Sequence, residues 1–377
     1  MAHPLRRTVA AVAAILTTAL LYASDTGPAG GPVRAPGRTA PVADSARTMD
    51  AYLSDAADMY RFSGAVLVAR GTDVLLAKGY GLADISTGTP NTPHTRYRIA
   101  SVTKQFTALA ILRLQELRRL KVTDPVCRFV RPCPHAWKPI TIEHLLTHTS
   151  GIPNFTERSD IESVVTTHLS PEELVGLFRD EPLDHPAGSR WRYSNSGYAL
   201  LGYIVERVTG GTYADFLDRQ ILGPLGLSET GYDVNHPGPQ THAVGYYPFR
   251  TPAPFHDMSI AYAAGALYST VTDLYRWNRF LLTGTPRIIG ADALAQMFTP
   301  RAAIDPDRPD LYGWYCYGLG LLGENADATY SHSGGINGFS SFNLFRPHHE
   351  LSVTVLSNQQ TDRTDVIADK LATIVDP

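Results

Sequence analysis

A serine and a lysine stand three residues apart in the segment Arg98-Ile99-Ala100-Ser101-Val102-Thr103-Lys104-Gln105-Phe106. A serine hydroxyl attacks a carbonyl only when a partner takes its proton, and in a helix the (i, i+3) spacing sets such a partner on the same face. Ser101 and Lys104 therefore read as a nucleophile and its base. Taken bare, the pair also fits a serine at a helix start followed by a solvated lysine. Lysine is scarce, at Lys78, Lys104, Lys121, Lys138 and Lys370, and only Lys104 has a serine three residues before it. From Phe106 to Leu120 the chain reads FTALAILRLQELRRL, apolar nearly all round until Arg and Glu enter the last turns, which is the pattern of a buried helix. A polar pair at the start of a buried helix needs partners, and the positive end of the helix dipole favours a developing alkoxide.

Two further constellations carry chemistry. Tyr193-Ser194-Asn195 lies in a loop that runs into the apolar stretch from Ala199 to Val208. In an extended segment residues i and i+2 point the same way, so a phenol and a carboxamide can face one cleft; the alternative is an ordinary helix start with Asn195 as its cap. His332-Ser333-Gly334-Gly335 precedes the strand-like run from Phe339 to Phe345. Glycines beside a strand edge let a substrate backbone approach and leave N–H groups free for an oxyanion, while the plainer reading is a strand turn.

In this order, Ser-x-x-Lys, Tyr-x-Asn and His-x-Gly, the set resembles the serine β-lactamase and penicillin-binding-protein superfamily, nearest its class C β-lactamase and D,D-peptidase branch. The third motif is usually Lys-Thr-Gly there, and His332 takes the place of that lysine. The segments Ile142-Glu143-His144-Leu145-Leu146-Thr147-His148-Thr149-Ser150-Gly151, Ala264-Gly265-Ala266-Leu267-Tyr268-Ser269-Thr270 and Tyr312-Gly313-Trp314-Tyr315-Cys316-Tyr317-Gly318-Leu319-Gly320 resemble other stretches of the family, so the likeness runs from about Ser45 to the end. The resemblance implies that Ser101 is acylated, that Lys104 and Tyr193 share the base role with Tyr193 relaying a proton to the leaving group, and that Asn195 holds the acyl-side amide of the substrate. It implies an oxyanion hole from the backbone N–H groups of Ser101 and Gly335, with Gly334 and His332 in the substrate-binding edge. Histidine in place of lysine is only partly charged near neutral pH, so any carboxylate anchor at His332 is expected to be weak and pH-dependent.

Other chemistries find little support. Net charge is −3 with charged residues 18% of the chain, which leaves no electrostatic footprint for nucleic acid. No P-loop, dinucleotide fingerprint, His-Glu-x-x-His, Cys-x-x-Cys or Gly-x-Ser-x-Gly elbow occurs, so no cofactor and no metal site is expected. Arg6 and Arg7, the apolar run from Val9 to Leu21 and the small residues at Ala23 and Ser24 read as an export signal over residues 1–24, with an uncleaved membrane anchor as the alternative. Residues 25–44, rich in Gly, Pro, Ala and Thr, read as a linker. Cys127 and Cys133 flank a short proline-containing loop and after export can close a disulfide; the alternative is two buried thiols. Cys316, among Trp314, Tyr315 and Tyr317, reads as core.

The elements that must position these residues come from both ends of the chain. Helical spacing runs from Ser45 to Phe62, and Ala65 to Ala69 with Val74 to Ala77 read as a buried hairpin. Phe339 to Phe345 and Leu351 to Leu356 are strands, followed by a helix from Asp362 to Ile374. The resemblance turns these parts into an α/β fold of the α+β sandwich kind. In it an antiparallel sheet from both chain ends is flanked by helices, and a mostly helical lobe is inserted within about residues 105–290 of a hydrolase domain spanning 45–377. The expected protein is an exported serine hydrolase, foremost a D-alanyl-D-alanine carboxypeptidase or related D-amino-acid peptidase acting on a small peptide, amide or ester, cell-wall peptide included. An esterase or β-lactamase of the same fold and a non-catalytic penicillin-recognising protein are the alternatives.

Overall fold

A computed structural model describes residues 41–59, 62–235 and 241–376. The export signal and most of the linker lie outside these residues. The first helix, α1 (Pro41–Met59), takes in the last residues of the stretch read as linker. Two strands follow, β1 (Gly64–Arg70) and β2 (Asp73–Tyr80), and then α2 (Thr103–Glu116), which the short turn Ala100–Val102 leads into. The middle of the chain supplies α3 (Asn195–Thr209), α4 (Met258–Gly265) and α5 (Val271–Thr283) among shorter helices. The end supplies β3 (Ala302–Ala303), β4 (Trp314–Tyr315), β5 (Gly320–Leu322), β6 (Thr329–Ile336), β7 (Phe339–Arg346), β8 (Leu351–Ser357) and the last helix, α6 (Thr364–Val375).

These strands form one antiparallel sheet in the order β3-β4-β5-β6-β7-β8-β1-β2. The two ends of the chain are joined in the sheet by pairing the first strand with the last, Val66 opposite Val355 and Val68 opposite Val353. Both faces are covered, which is why β1 is an uninterrupted apolar run. Val66 and Val68 point to a layer made by Met49 and Leu53 of α1 and Ile367 and Leu371 of α6. Ala65, Leu67 and Ala69 point the other way, into the large core shared with α2 and α5. β2 departs from the expectation of a buried hairpin: it is the sheet's edge and half exposed, with Val74 at 49%. Of the hairpin's two strands, only β1 has a strand on either side.

No helix among the described residues is long and apolar enough to cross a membrane. Cys127 and Cys133 are joined in a disulfide that closes the loop between them, and Cys316 is buried with burial pushing its thiol up to about 12.

α2 is buried from Thr103 to Leu112 because helices of the inserted lobe cover one side of it and α5 with the sheet cover the other. Trp277 of α5 stacks on Phe106 of α2 with ring centroids 4.0 Å apart and donates Nε1–H to Gln105 Oε1 at 2.7 Å. That contact ties the helix bearing the base to the sheet face. Trp277→Ala, which leaves a cavity and takes from the buried Gln105 oxygen the shorter of its two hydrogen bonds, the other being from Asn343 Nδ2 at 3.4 Å, is expected to destabilise the fold by about 3–5 kcal/mol. The midpoint of urea unfolding reads this out, and Trp277→Phe should lose less.

Candidate active site

Ser101 sits in the turn that enters α2, and its neighbour Ala100 holds the left-handed conformation at φ 46°. A β-carbon makes that region costly, so the turn is held by its surroundings. The Ile99 carbonyl accepts from Val102 N–H and from the Ser341 hydroxyl at 2.8 Å, which pins the turn to β7. Gly334 of β6 lies so close that a Cβ there would run into the Ile99 carbonyl oxygen and the Ser341 hydroxyl and come to 3.1 Å from the Ser101 nitrogen. A Cβ on Gly335 would meet nothing within 4 Å. One glycine thus lets the strand press against the nucleophile's backbone, and the next opens on the cleft.

Lys104 is fully buried and its ammonium nitrogen lies 2.9 Å from Ser101 Oγ, 2.8 Å from Asn195 Oδ1 and 2.8 Å from the Ala264 carbonyl. None of the three is a carboxylate. Desolvation of a charge without a counter-charge costs several kcal/mol, whereas the Tyr193 and Tyr198 rings, 4.9 and 5.5 Å away, return about 1–2 kcal/mol each as cation–π partners. Desolvation wins, and burial holds Lys104 well below the usual lysine range. In its neutral form the nitrogen accepts the Ser101 proton and still donates to Asn195 and Ala264.

Tyr193 is the second group on Ser101, its hydroxyl donating to Oγ at 2.8 Å. Burial pushes the phenol above its usual range, partly offset by Ser101, so it stays protonated. Base and proton carrier are therefore separate: a neutral amine able to take a proton, and a phenol able to pass one on. Ser194 is extended at φ −145° and ψ 119° and caps α3, so Tyr193 and Asn195 reach Ser101 and Lys104 together as the alternation of an extended stretch requires. Ser194 holds the N-cap position with its hydroxyl turned to the Ile152 carbonyl, and Asn195 is the first helical residue, not the cap. Asn195 donates Nδ2–H to Thr156 Oγ1 at 3.2 Å, leaving its second amide hydrogen for a substrate carbonyl.

His332 corrects the sequence expectation. It is 8% exposed, its Nδ1 donates to the Ser333 carbonyl at 2.6 Å, and its Nε2 accepts from the Tyr315 hydroxyl at 3.0 Å. Burial first and the nearby Lys104 second push its pKa down to about 3, against the Ser333 hydrogen bond, so the ring is neutral at and around neutral pH rather than partly charged. With both nitrogens engaged and no charge, His332 is not a carboxylate anchor in this arrangement. The stretch is also not a turn: β6 runs from Thr329 to Ile336, and β5 pairs only with Thr329 to Ser331. From His332 onward the strand has no partner on that side, which leaves an edge where an extended substrate can add itself.

Sequence reasoning missed the Ala264 carbonyl. It is aimed at Lys104 by a break in α4 at Tyr262, φ 38° and ψ −135°, and the neighbouring Ala263 carbonyl takes the Thr107 hydroxyl of α2 at 2.7 Å. A backbone acceptor has no side-chain signature, and the only hint was the Ala264-Gly265-Ala266 stretch itself. Thr156 and Tyr315, which orient Asn195 and His332, were missed likewise.

A family model described as beta-lactamase matches residues 49–375. PbpX of Bacillus subtilis, a protein named for penicillin binding, is 29% identical over 304 residues, covering 80% of this chain and 72% of that one. The first such relatives are matched over 66% to 72% of their own length. Among solved structures, an octameric penicillin-binding protein homologue from Pyrococcus abyssi superposes with a TM-score of 0.77 at 28% identity, covering 87% of this chain and 77% of that chain. A D-stereospecific amidohydrolase from Streptomyces superposes with a TM-score of 0.70 at 28% identity, covering 88% and 98%.

Ser101→Ala is expected to abolish turnover while leaving the unfolding midpoint near wild type, and adding Lys104→Ala to it should cost little more, because the two act as a unit. Gly334→Ala should cut kcat/KM by about 100-fold or more through displacement of the Ser101 turn. Turnover of an ester or amide substrate and the midpoint of urea unfolding read these changes, and a fluorescent phosphonate should label the wild-type peptide holding Ser101 but not that of Ser101→Ala.

Proposed function

The chain belongs to the beta-lactamase family of serine hydrolases, and on that premise we propose that it is an exported hydrolase of D-amino-acid peptides and amides that works through an acyl-enzyme on Ser101. The observation carrying this reading is the pair of contacts on one oxygen, Lys104 at 2.9 Å and Tyr193 at 2.8 Å. As Ser101 Oγ bonds to the substrate carbonyl carbon, its proton passes to the neutral amine of Lys104. The carbonyl oxygen becomes an oxyanion held by the backbone N–H groups of Ser101 and Gly335. The C–N or C–O bond then breaks, and Tyr193 gives its proton to the leaving group while regaining one from Lys104. Water then adds to the acyl carbon while the same pair takes its proton, and that proton is handed to Ser101 Oγ as the acyl C–Oγ bond breaks and the acid is released. Asn195 and the free edge of β6 hold the substrate chain.

The neutral, fully engaged His332 shapes the substrate preference. A leaving side that carries a free carboxylate finds no cation in this residue, which favours a D-amino-acid amide or a peptide with an uncharged end over the D-alanyl-D-alanine carboxypeptidase substrate. The Streptomyces amidohydrolase at 28% identity supports this choice. An ester is the second reading, since the same geometry suits a neutral alcohol leaving group.

A D-amino-acid amide should be cleaved with kcat/KM about tenfold or more above the matching peptide with a free carboxylate terminus, a difference of about 1.4 kcal/mol. Because Lys104 acts as the neutral amine, kcat/KM should rise with pH through its depressed pKa. Because His332 is already neutral, neither substrate should show a falling limb from imidazole titration between about pH 5 and 8. A selective fall for the carboxylate substrate over that range would restore His332 as a charged anchor. If the export reading holds, mass analysis of protein recovered outside the cytoplasm should find its N-terminus between about Ala23 and Gly30; an intact Met1 on membrane-extracted protein would contradict it.

A further inference from the structure

Behind the phenol of Tyr193 lies an imidazole that none of these roles uses. His148 follows the short helix Ile142–Leu146, is 1% exposed, and holds its backbone in the left-handed region at φ 58°. Its carbonyl oxygen accepts from the Arg192 N–H at 2.8 Å, and its ring Nδ1 accepts from the Ser194 N–H at 3.1 Å. Between these two amides the ring of Tyr193 lies against the imidazole, centroids 4.4 Å apart and planes tilted by 36°. Tyr315 and Tyr198 pack around the same imidazole at 4.6 and 5.1 Å. In an extended segment the N–H groups of residues i and i+2 face one side, where a neighbouring strand would normally accept both. Here a single residue supplies both acceptors, one from its main chain and one from its ring.

The choice of imidazole is informative. Because Nδ1 accepts, the proton is on Nε2, and that buried N–H has no hydrogen-bond partner. An unpaired buried donor is a cost that a phenylalanine ring would not carry. What the imidazole adds over phenylalanine is the Nδ1 acceptor and an easier fit to positive φ. Burial, with Lys104 and His332 adding to it, holds the ring well below the usual histidine range and so keeps Nδ1 free to accept.

Resting on the proposed role of Tyr193 as the proton carrier, we propose that His148 is its positioning residue, clamping residues 192 and 194 so that the phenol is delivered to Ser101 and thence to the leaving group. A misplaced phenol should matter most where the leaving group cannot depart without a proton. The test uses the full-length protein and two butyrate esters: a 4-nitrophenyl ester, whose leaving group departs as the anion, and an ethyl ester, whose alkoxide must be protonated. His148→Phe keeps a ring and removes Nδ1; His148→Asn keeps a short acceptor and tolerates the positive φ.

We expect His148→Phe to lower kcat/KM for the ethyl ester by about 100-fold and for the nitrophenyl ester by about threefold or less, with His148→Asn between it and wild type. Tyr193→Phe should show the same selective loss, and combining it with His148→Phe should add little. Equal losses on both esters in variants that keep the wild-type unfolding transition, or full additivity with Tyr193→Phe, would overturn the proposal. Should His148→Phe fail to fold, His148→Asn decides by the same ratio. Failure of the D-amino-acid reading would leave both esters as substrates and this ratio measurable, whereas a protein inert to both would remove the premise and the proposal with it.

Discussion

A lysine buried without a counter-charge is the constraint on which this site depends. A solvated Lys104 would hold its proton near neutral pH, and Ser101 would remain an ordinary alcohol. Asn195 Oδ1 and the Ala264 carbonyl accept the two hydrogens of the neutral amine and Ser101 Oγ lies against its lone pair, none of the three stabilising a charge as a carboxylate would, and the surrounding core supplies the desolvation. The same burial keeps Tyr193 protonated and His332 neutral. One physical cause, removal of water, therefore sets three protonation states, and they are the ones that acyl transfer to a serine requires.

The fold exists to make that burial possible. α2 can be sunk in the interior because the sheet is assembled from both ends of the chain and the intervening helices close over it. The backbone near the nucleophile bears the strain of the arrangement, with positive φ at Ala100 before Ser101, at Tyr262 before the carbonyl that meets Lys104, and at His148 behind Tyr193. Each is held by hydrogen bonds or packing from a different part of the chain. Strain of this kind persists only where the surroundings over-determine it.

Much of this was legible in the residues. Ser101, Lys104, Tyr193 and Asn195 declared themselves by type and spacing, because a helix turn and an extended stretch impose fixed side-chain directions that sequence spacing encodes. The strands β1, β7 and β8 were legible from their apolar runs. What sequence could not supply was whatever depends on burial by distant segments. The protonation of His332 turns first on its burial and then on Lys104, far from it in the chain, and these outweigh the opposing hydrogen bond to the adjacent Ser333. The exposure of β2 depends on its lying last in the sheet, a matter of topology that Val74, Leu75 and Leu76 do not reveal. The Ala264 carbonyl and the cradle around His148 are main-chain features, and main-chain atoms are the same for every residue type.

The central claim is that Lys104 is the neutral base, and it can be measured directly. The chain has five lysines, Lys78, Lys104, Lys121, Lys138 and Lys370, few enough for their ε-carbons to be followed by carbon-13 NMR as pH is raised. One resonance, missing from the Lys104→Met variant, should titrate well below the ordinary lysine value of about 10.4. A Lys104 resonance that titrates at that ordinary value or above it would contradict the account, since the amine would then be a bound cation and some other group would have to take the Ser101 proton.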